Sequence, residues 1–296
     1  ASCTGAKTIV RKQLADGRFA TWVPFAQRID ADAAITRNLY KNWLGNRILF
    51  EEVNQGLGLA FSYSWTFTNR FGFVRKCKLK NVGQDSASVV VLDGIQNLLP
   101  AGIEQNFQLR YSNLGDAYKK SELSDRHEIG IYYLSSIPTD RAEPSEGLRA
   151  TIAWQNGLDQ PSILLSAEQL DRFRDGLSVE QETDIRGRRG AYFTVAEHVI
   201  SPAQDSAFDD STAGSLPDES IDDAVQENHH SEVDWSIVAN VNCDQTDVVN
   251  LMKELDESSD AAAVLDEDVA ENERRLLAIV SAADGRQVGG DSLRVQ

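Results

Sequence analysis

The chain is organised around a run of alternating side chains. From Leu57 the odd positions are Leu57, Leu59, Phe61, Tyr63, Trp65 and Phe67, and the even positions between them are small or hydroxylic. Period-two alternation over this length predicts a strand with one buried face. Thr68-Asn69-Arg70 predicts a turn, and Phe71, Phe73, Arg75, Cys77 and Leu79 then share one parity while Lys76, Lys78 and Lys80 take the other. The lysines mark a solvated face or blunt an edge. Ser88 to Leu92 is apolar on both parities, as a strand buried on both faces would be. Residues 45–95 therefore read as an antiparallel meander at the centre of a large β-sandwich.

The rest of the chain extends this pattern. Phe19 to Phe25 reads as a first strand, with Pro24 ending its pairing. Asp32 to Leu44 fits a short helix or a loop equally well, and Glu104 to Leu123 reads as a loop with helical turns. Further strands are predicted at Glu128–Ile137, Leu148–Gln155, Ser162–Leu165 and Tyr192–Ile200, with a short helix from Ala167 to Arg174 capped by Ser166. Val233 to Val241 returns as a strand. Asp244 then caps a helix carrying Val248, Leu251, Met252 and Leu255, and a second helical pattern runs from Ala261 to Ala283. The expected fold is mainly β, a large antiparallel sandwich with a C-terminal helical segment. Its expected parts are a sandwich body over 1–200, an acidic mobile loop over 201–231, a returning strand over 232–243 and a helical linker over 244–296. The apolar stretch Leu276–Val280 wants a partner, so the chain is expected to continue past Gln296. The missing initiator Met likewise predicts a processed or excised chain.

Charge sharpens the division near residue 200. The net charge is −17, yet residues 201–296 hold 23 acidic and 5 basic residues, whereas residues 1–200 hold 23 and 24. An acidic surface repels phosphate backbones, so no nucleic-acid partner is expected. No apolar run approaches the roughly 20 residues that span a bilayer, so no membrane partner is expected either. Three widely spaced cysteines, Cys3, Cys77 and Cys243, form no metal or redox pair and suggest a reducing, cytoplasmic setting.

Candidate chemistry is sparse. Glu51 and Glu52 are neighbours on a strand and face opposite ways, so they cannot converge on a glycosidic bond; a solvated or edge role is expected. Asp93-Gly94 reads as a turn at a strand end. His198 reads as a structural histidine, and His229-His230 as a weak metal site at best. The stripe Phe61, Tyr63, Trp65, Phe67 reads as core, with a sugar-stacking platform as the alternative; Tyr63 and Trp65 carry the polar handles that suit a wet boundary. Asp184 to Gly190 gathers arginines among glycines, and Arg188 and Arg189 are the candidates for meeting an anion. No nucleotide-binding or hydrolase motif is present, and no catalytic residue, metal or cofactor is expected.

The segments FEEVNQGLGLAFSYSWTFTNRFGFVRKCKLKN (residues 50–81) and VVLDGIQNLLPAG (residues 90–102) give the chain a family likeness. Over residues 19–200 it resembles the N-terminal supersandwich of cellobiose phosphorylases and cyclic-glucan-processing enzymes. The stretch LLAIVSAADGRQ is similar to the linker that follows it. In that family a galactose-mutarotase-like sandwich precedes a catalytic (α/α)6 barrel. The resemblance implies a non-catalytic sandwich of a glycoside phosphorylase or hydrolase. Its implied partners are a carbohydrate bound by the parent enzyme and the helical catalytic domain of the same polypeptide, with homo-oligomerisation as a further option. A free-standing glycan-binding module and a structural or partner-binding sandwich stand beside it as alternatives.

Overall fold

The computed structural model describes residues 5–26, 34–42, 44–103, 105–124, 126–136, 147–202, 231–258 and 260–282. The acidic stretch 203–230, with His229-His230, lies outside the described residues, as does Cys3. The elements in chain order are β1 (Gly5–Gln13), β2 (Phe19–Trp22), β3 (Ile35–Lys41), β4 (Ile48–Asn54), β5 (Leu59–Phe67), β6 (Phe73–Asn81), β7 (Ala87–Leu98), α1 (Gln105–Arg110) and α2 (Ser112–Ala117). They continue with β8 (Lys119–Ser124), β9 (Ile129–Leu134), β10 (Ala150–Asn156), β11 (Ser162–Leu164), α3 (Leu170–Arg174), β12 (Asp184–Arg186), β13 (Gly190–Ile200), β14 (Glu232–Cys243), α4 (Gln245–Glu257) and α5 (Ala261–Ala282).

Two antiparallel sheets face each other. One has five strands in the order β11-β13-β7-β1-β2, and the other nine, in the order β12-β8-β9-β10-β14-β6-β5-β4-β3. The protein is mainly β, as the alternation predicts. β4, β5 and β6 form the expected meander, with Trp65 opposite Ile48 on one side and Arg75 on the other. β7 does not continue it. It crosses to the other sheet and lies between β1 and β13, where both faces are covered. That position explains its two-sided apolar pattern.

Three apolar clusters stabilise the layers. The largest fills the space between the sheets and includes Val10, Phe61, Leu79, Val91, Tyr132, Tyr192 and Trp235. A second, with Val74, Trp154, Val238, Leu251 and Leu265, packs α4 and α5 on the outer face of the nine-stranded sheet. A third, with Ile9, Leu92, Phe173 and Phe193, packs α3 on the outer face of the five-stranded sheet.

The lysines of β6 belong to an interior strand, not an edge. Lys76 pairs with Asp266 of α5, and Lys78 pairs with Glu232 of β14 at 2.5 Å. Arg47 reaches Glu273 at 2.5 Å, and the Arg70 backbone N–H donates to Asp268 at 3.0 Å. Acidic residues of β14 and α5 thus pair with basic residues of β6 and of the loop before β4. α4 begins as its sequence predicts: the Asp244 carboxylate accepts from the N–H groups of Thr246 and Asp247, and Asp247 accepts in return from the Asp244 N–H. Ser166 does not cap α3; Gln169 occupies that position, while Ser166 Oγ accepts from the Glu168 N–H at 3.3 Å.

Candidate functional site

The sheets are unequal, so the inner face of the larger one outruns its cover. Across one register row Trp235 and Cys77 are buried, Tyr63 and Phe50 are half-buried, and Leu39 is 61% exposed. The next row runs from buried Ile237 and Arg75 through half-buried Trp65 to exposed Ile48 and Lys41. Beyond it Phe67 and Phe73 stack edge-on, with centroids 4.9 Å apart, and both are exposed. The result is a strip of apolar side chains, Leu39, Ile48, Trp65, Phe67 and Phe73, at one end of the inner face. A contiguous apolar strip on a sheet face is a surface that favours a partner.

Aromatic packing anchors the strip. Phe50 stacks on Tyr63 at 5.1 Å, and Phe25 sets its edge against Tyr63 at 5.3 Å. Phe25 adopts a left-handed backbone conformation, φ 60°, which turns the chain after β2 back over the rings. The Arg75 guanidinium lies 4.8 Å from the Tyr63 ring centroid. Burial raises the Tyr63 hydroxyl pKa, opposed by Arg75.

Behind the rings lies a buried polar network that joins the sheets. Asp93 of β7 is fully buried and accepts from Thr8 Oγ1 at 2.6 Å, Trp235 Nε1 at 2.9 Å, Cys77 Sγ at 3.3 Å and Arg75 Nη1. Burial pushes the Cys77 thiol pKa well up, with Arg75 opposing, so the sulfur keeps its proton and donates. The expected turn at Asp93-Gly94 is therefore corrected. Both residues lie inside the central strand, and a charge facing a buried arginine replaces the turn. Glu52 is corrected too. It is 2% exposed and accepts from Trp22 Nε1 at 2.8 Å, the Phe25 N–H at 2.8 Å and Arg37 Nε at 2.6 Å. Glu51 does face the other way, toward Asn38 and Tyr40.

The four candidate residues named from the sequence do not gather. Tyr63 and Trp65 lie on β5 and pack against the main core cluster. Arg188 and Arg189 follow β12 at the opposite edge of the nine-stranded sheet, six strands away. Arg188 Nε bonds Glu168 at 2.5 Å, and Arg189 Nε lies 3.7 Å from Asp116. His198 is half-buried on β13, its Nε2 has no hydrogen-bond partner among the described residues, and burial lowers its pKa. Among the described residues no group of three His, Cys, Asp or Glu gathers to hold a metal, and no helix is long and apolar enough to cross a membrane.

Trp65 supplies a test of how the strip is held. Trp65→Ala is expected to destabilise the protein by about 2–3 kcal/mol, below the cost at a fully buried aromatic because the side chain is only partly buried against the core. Thermal and urea melts check this. An unchanged melting temperature would show that the indole contributes no packing.

No protein-family model matches the chain, and no curated protein matches it. Among solved structures, a bacterial glucoamylase complexed with acarbose is similar at 10% identity and a TM-score of 0.43, with 86% of this chain and 29% of that chain covered.

Proposed function

We propose that this chain is the non-catalytic β-sandwich of a carbohydrate-active enzyme of the glycoside phosphorylase or hydrolase type. In this reading it supports a helical catalytic domain of the same polypeptide and shapes the sugar-binding mouth. The observation that carries the supporting role is the uncovered end of the inner face, where Leu39, Ile48, Phe67 and Phe73 are exposed together. An apolar helical surface with an acidic rim suits this strip, because exposed Lys41 stands at its border on the same face. The carbohydrate class follows from the resemblance of residues 50–81 and 90–102 to the supersandwich family. The neighbouring carboxylates Glu51 and Glu52 are directed to opposite faces, in line with a non-catalytic role.

The test has two halves. Purified chain incubated with maltose, cellobiose and aryl glucosides, with and without phosphate, is expected to release no product. Mixed with the helical domain of its own polypeptide, it is expected to co-elute as a complex. The pair Ile48→Asp and Phe73→Asp, both at exposed positions, should weaken that complex about 100-fold while costing only about 1–2 kcal/mol of stability and leaving the chain folded. Turnover that tracks the protein peak, or a complex indifferent to both substitutions, would sink the reading.

A further inference from the structure

The outer face of the five-stranded sheet, remote from the apolar strip, carries a cavity of about 590 Å³ between the strands and the turn after α3. Arg11 of β1 lies in its wall and is 9% exposed. Its guanidinium sits between two rings, 4.7 Å from the Phe19 centroid and 5.3 Å from that of Phe173. Nη2 donates to the Gly176 carbonyl at 3.2 Å, and Nε is buried with no partner. Gly176 takes φ +86° at the end of α3, which folds that carbonyl back over the arginine. Among the described residues no carboxylate forms an ion pair with Arg11. The guanidinium thus meets one carbonyl and two ring faces, and its Nε donor is unmet.

The rest of the lining decides what would relieve it. Asp159 and Glu197, both exposed, line the same cavity, together with Gln160. Gln160 holds a left-handed backbone, φ 44°, a strained conformation of the kind found at ligand clamps. A second depression of about 300 Å³ shares Phe19, Val90 and Glu197 with the first. The two depressions adjoin along these residues, where Phe19 is 43% exposed, as parts of one groove. A simple anion would satisfy Arg11 but meet two carboxylates. A cation would do the reverse, and an apolar ligand would leave every polar group unpaired. A neutral polyol fits all of them: its hydroxyls accept from Arg11 and donate to Asp159 and Glu197, while a pyranose C–H face lies on the Phe19 ring.

We propose that this outer-face groove binds a neutral oligosaccharide. The ligand class rests partly on the carbohydrate reading above; the location rests on the groove alone. The test titrates the full chain calorimetrically with maltoheptaose, cellopentaose and laminaripentaose as neutral probes, and with trigalacturonate and inorganic phosphate as anionic ones. At least one neutral probe should saturate. Phe19→Ala and Glu197→Gln should each weaken it at least about tenfold; Glu197→Gln, at an exposed wall, should retain the melting temperature, and Phe19→Ala should stay folded with a modest loss as Arg11 is uncovered. No saturation by any neutral probe, saturation by an anionic one instead, or binding indifferent to both substitutions overturns the proposal. The Ile48→Asp and Phe73→Asp variant separates the two readings. It should bind the oligosaccharide as the parent does while docking far more weakly; a parent chain that binds the oligosaccharide yet forms no complex with the helical domain would overturn the supporting role alone.

Discussion

Replacing Asp93 by Asn lowers the unfolding free energy by about 3–5 kcal/mol, the usual cost of removing one partner from a buried ion pair. The change is nearly isosteric, so a cavity contributes little. The loss comes from Arg75, which is 1% exposed and would face a neutral amide where its counter-charge had been. Thr8, Cys77 and Trp235 also donate to the same carboxylate, and an amide with one oxygen and two N–H groups cannot accept from all of them. Because Thr8 and Asp93 belong to one sheet and Arg75, Cys77 and Trp235 to the other, the deficit falls on the contact between the layers. For a protein of this size the melting temperature should drop by roughly 10 °C. Removing both charges, as Arg75→Met with Asp93→Leu, should recover much of the loss, because the desolvation cost disappears with the pair. Urea midpoints of Asp93→Asn and of the double variant measure this, and an Asp93→Asn protein within about 1 kcal/mol of the parent would sink it.

The same network shows what a sequence can carry. β5, β13 and β14 were legible because their apolar residues alternate or run unbroken, and α4 because Asp244 stands one residue before a helical stripe. β1 was not. Its segment GAKTIVRKQ mixes lysine and arginine with two buried aliphatic residues, since Thr8 is buried by its bond to Asp93 and Arg11 by its place between two rings. β3 is an exposed edge strand and presents no buried face to generate a pattern. β8 begins with Lys119, 2% exposed, whose ammonium meets Gln108 and Asp116; burial lowers its pKa, opposed by Asp116. In β1 and β8 a polar residue is buried by a partner outside its own strand, and the periodicity of a strand records no such partners. Asp93-Gly94 misleads for the same reason. The pair has turn composition, and only Arg75 in the facing sheet makes an aspartate tolerable there. The arginines of 186–189 and the aromatics of β5 are separate candidates in the sequence, and strand order keeps them six strands apart in the nine-stranded sheet.

Gly94→Ala is the second large effect expected, a loss of at least about 3 kcal/mol or failure to fold. Gly94 sits in the middle of β7, opposite Lys7 of β1 and Phe193 of β13. A methyl group there would run into the Tyr192 carbonyl oxygen, and would lie 2.5 Å from Phe193 Cδ1 and 2.7 Å from Phe193 Cα. Two of those three atoms are backbone, so no rotamer change relieves the clash and β13 itself must move. The cost is steric, because Gly94 does not occupy the left-handed region. Gly17 provides the contrast: it has φ +81° and nothing within 4 Å of an added Cβ, so Gly17→Ala should cost only about 1–2 kcal/mol of backbone strain. Moving β13 also stretches the bond from Thr194 Oγ1 to the Asp93 carbonyl, 3.2 Å long, and so disturbs the strand that aims Asp93 at Arg75. The two sites are adjacent and share that strand, so their effects should not add. Combining Gly94→Ala with Asp93→Asn should cost less than the sum of the two, since the first change already loosens what the second removes. Urea unfolding of the parent, Gly94→Ala, Asp93→Asn, their combination and Gly17→Ala checks both points. A Gly94→Ala protein as stable as Gly17→Ala would mean that β13 yields easily and that the close approach of the two strands contributes little to the fold.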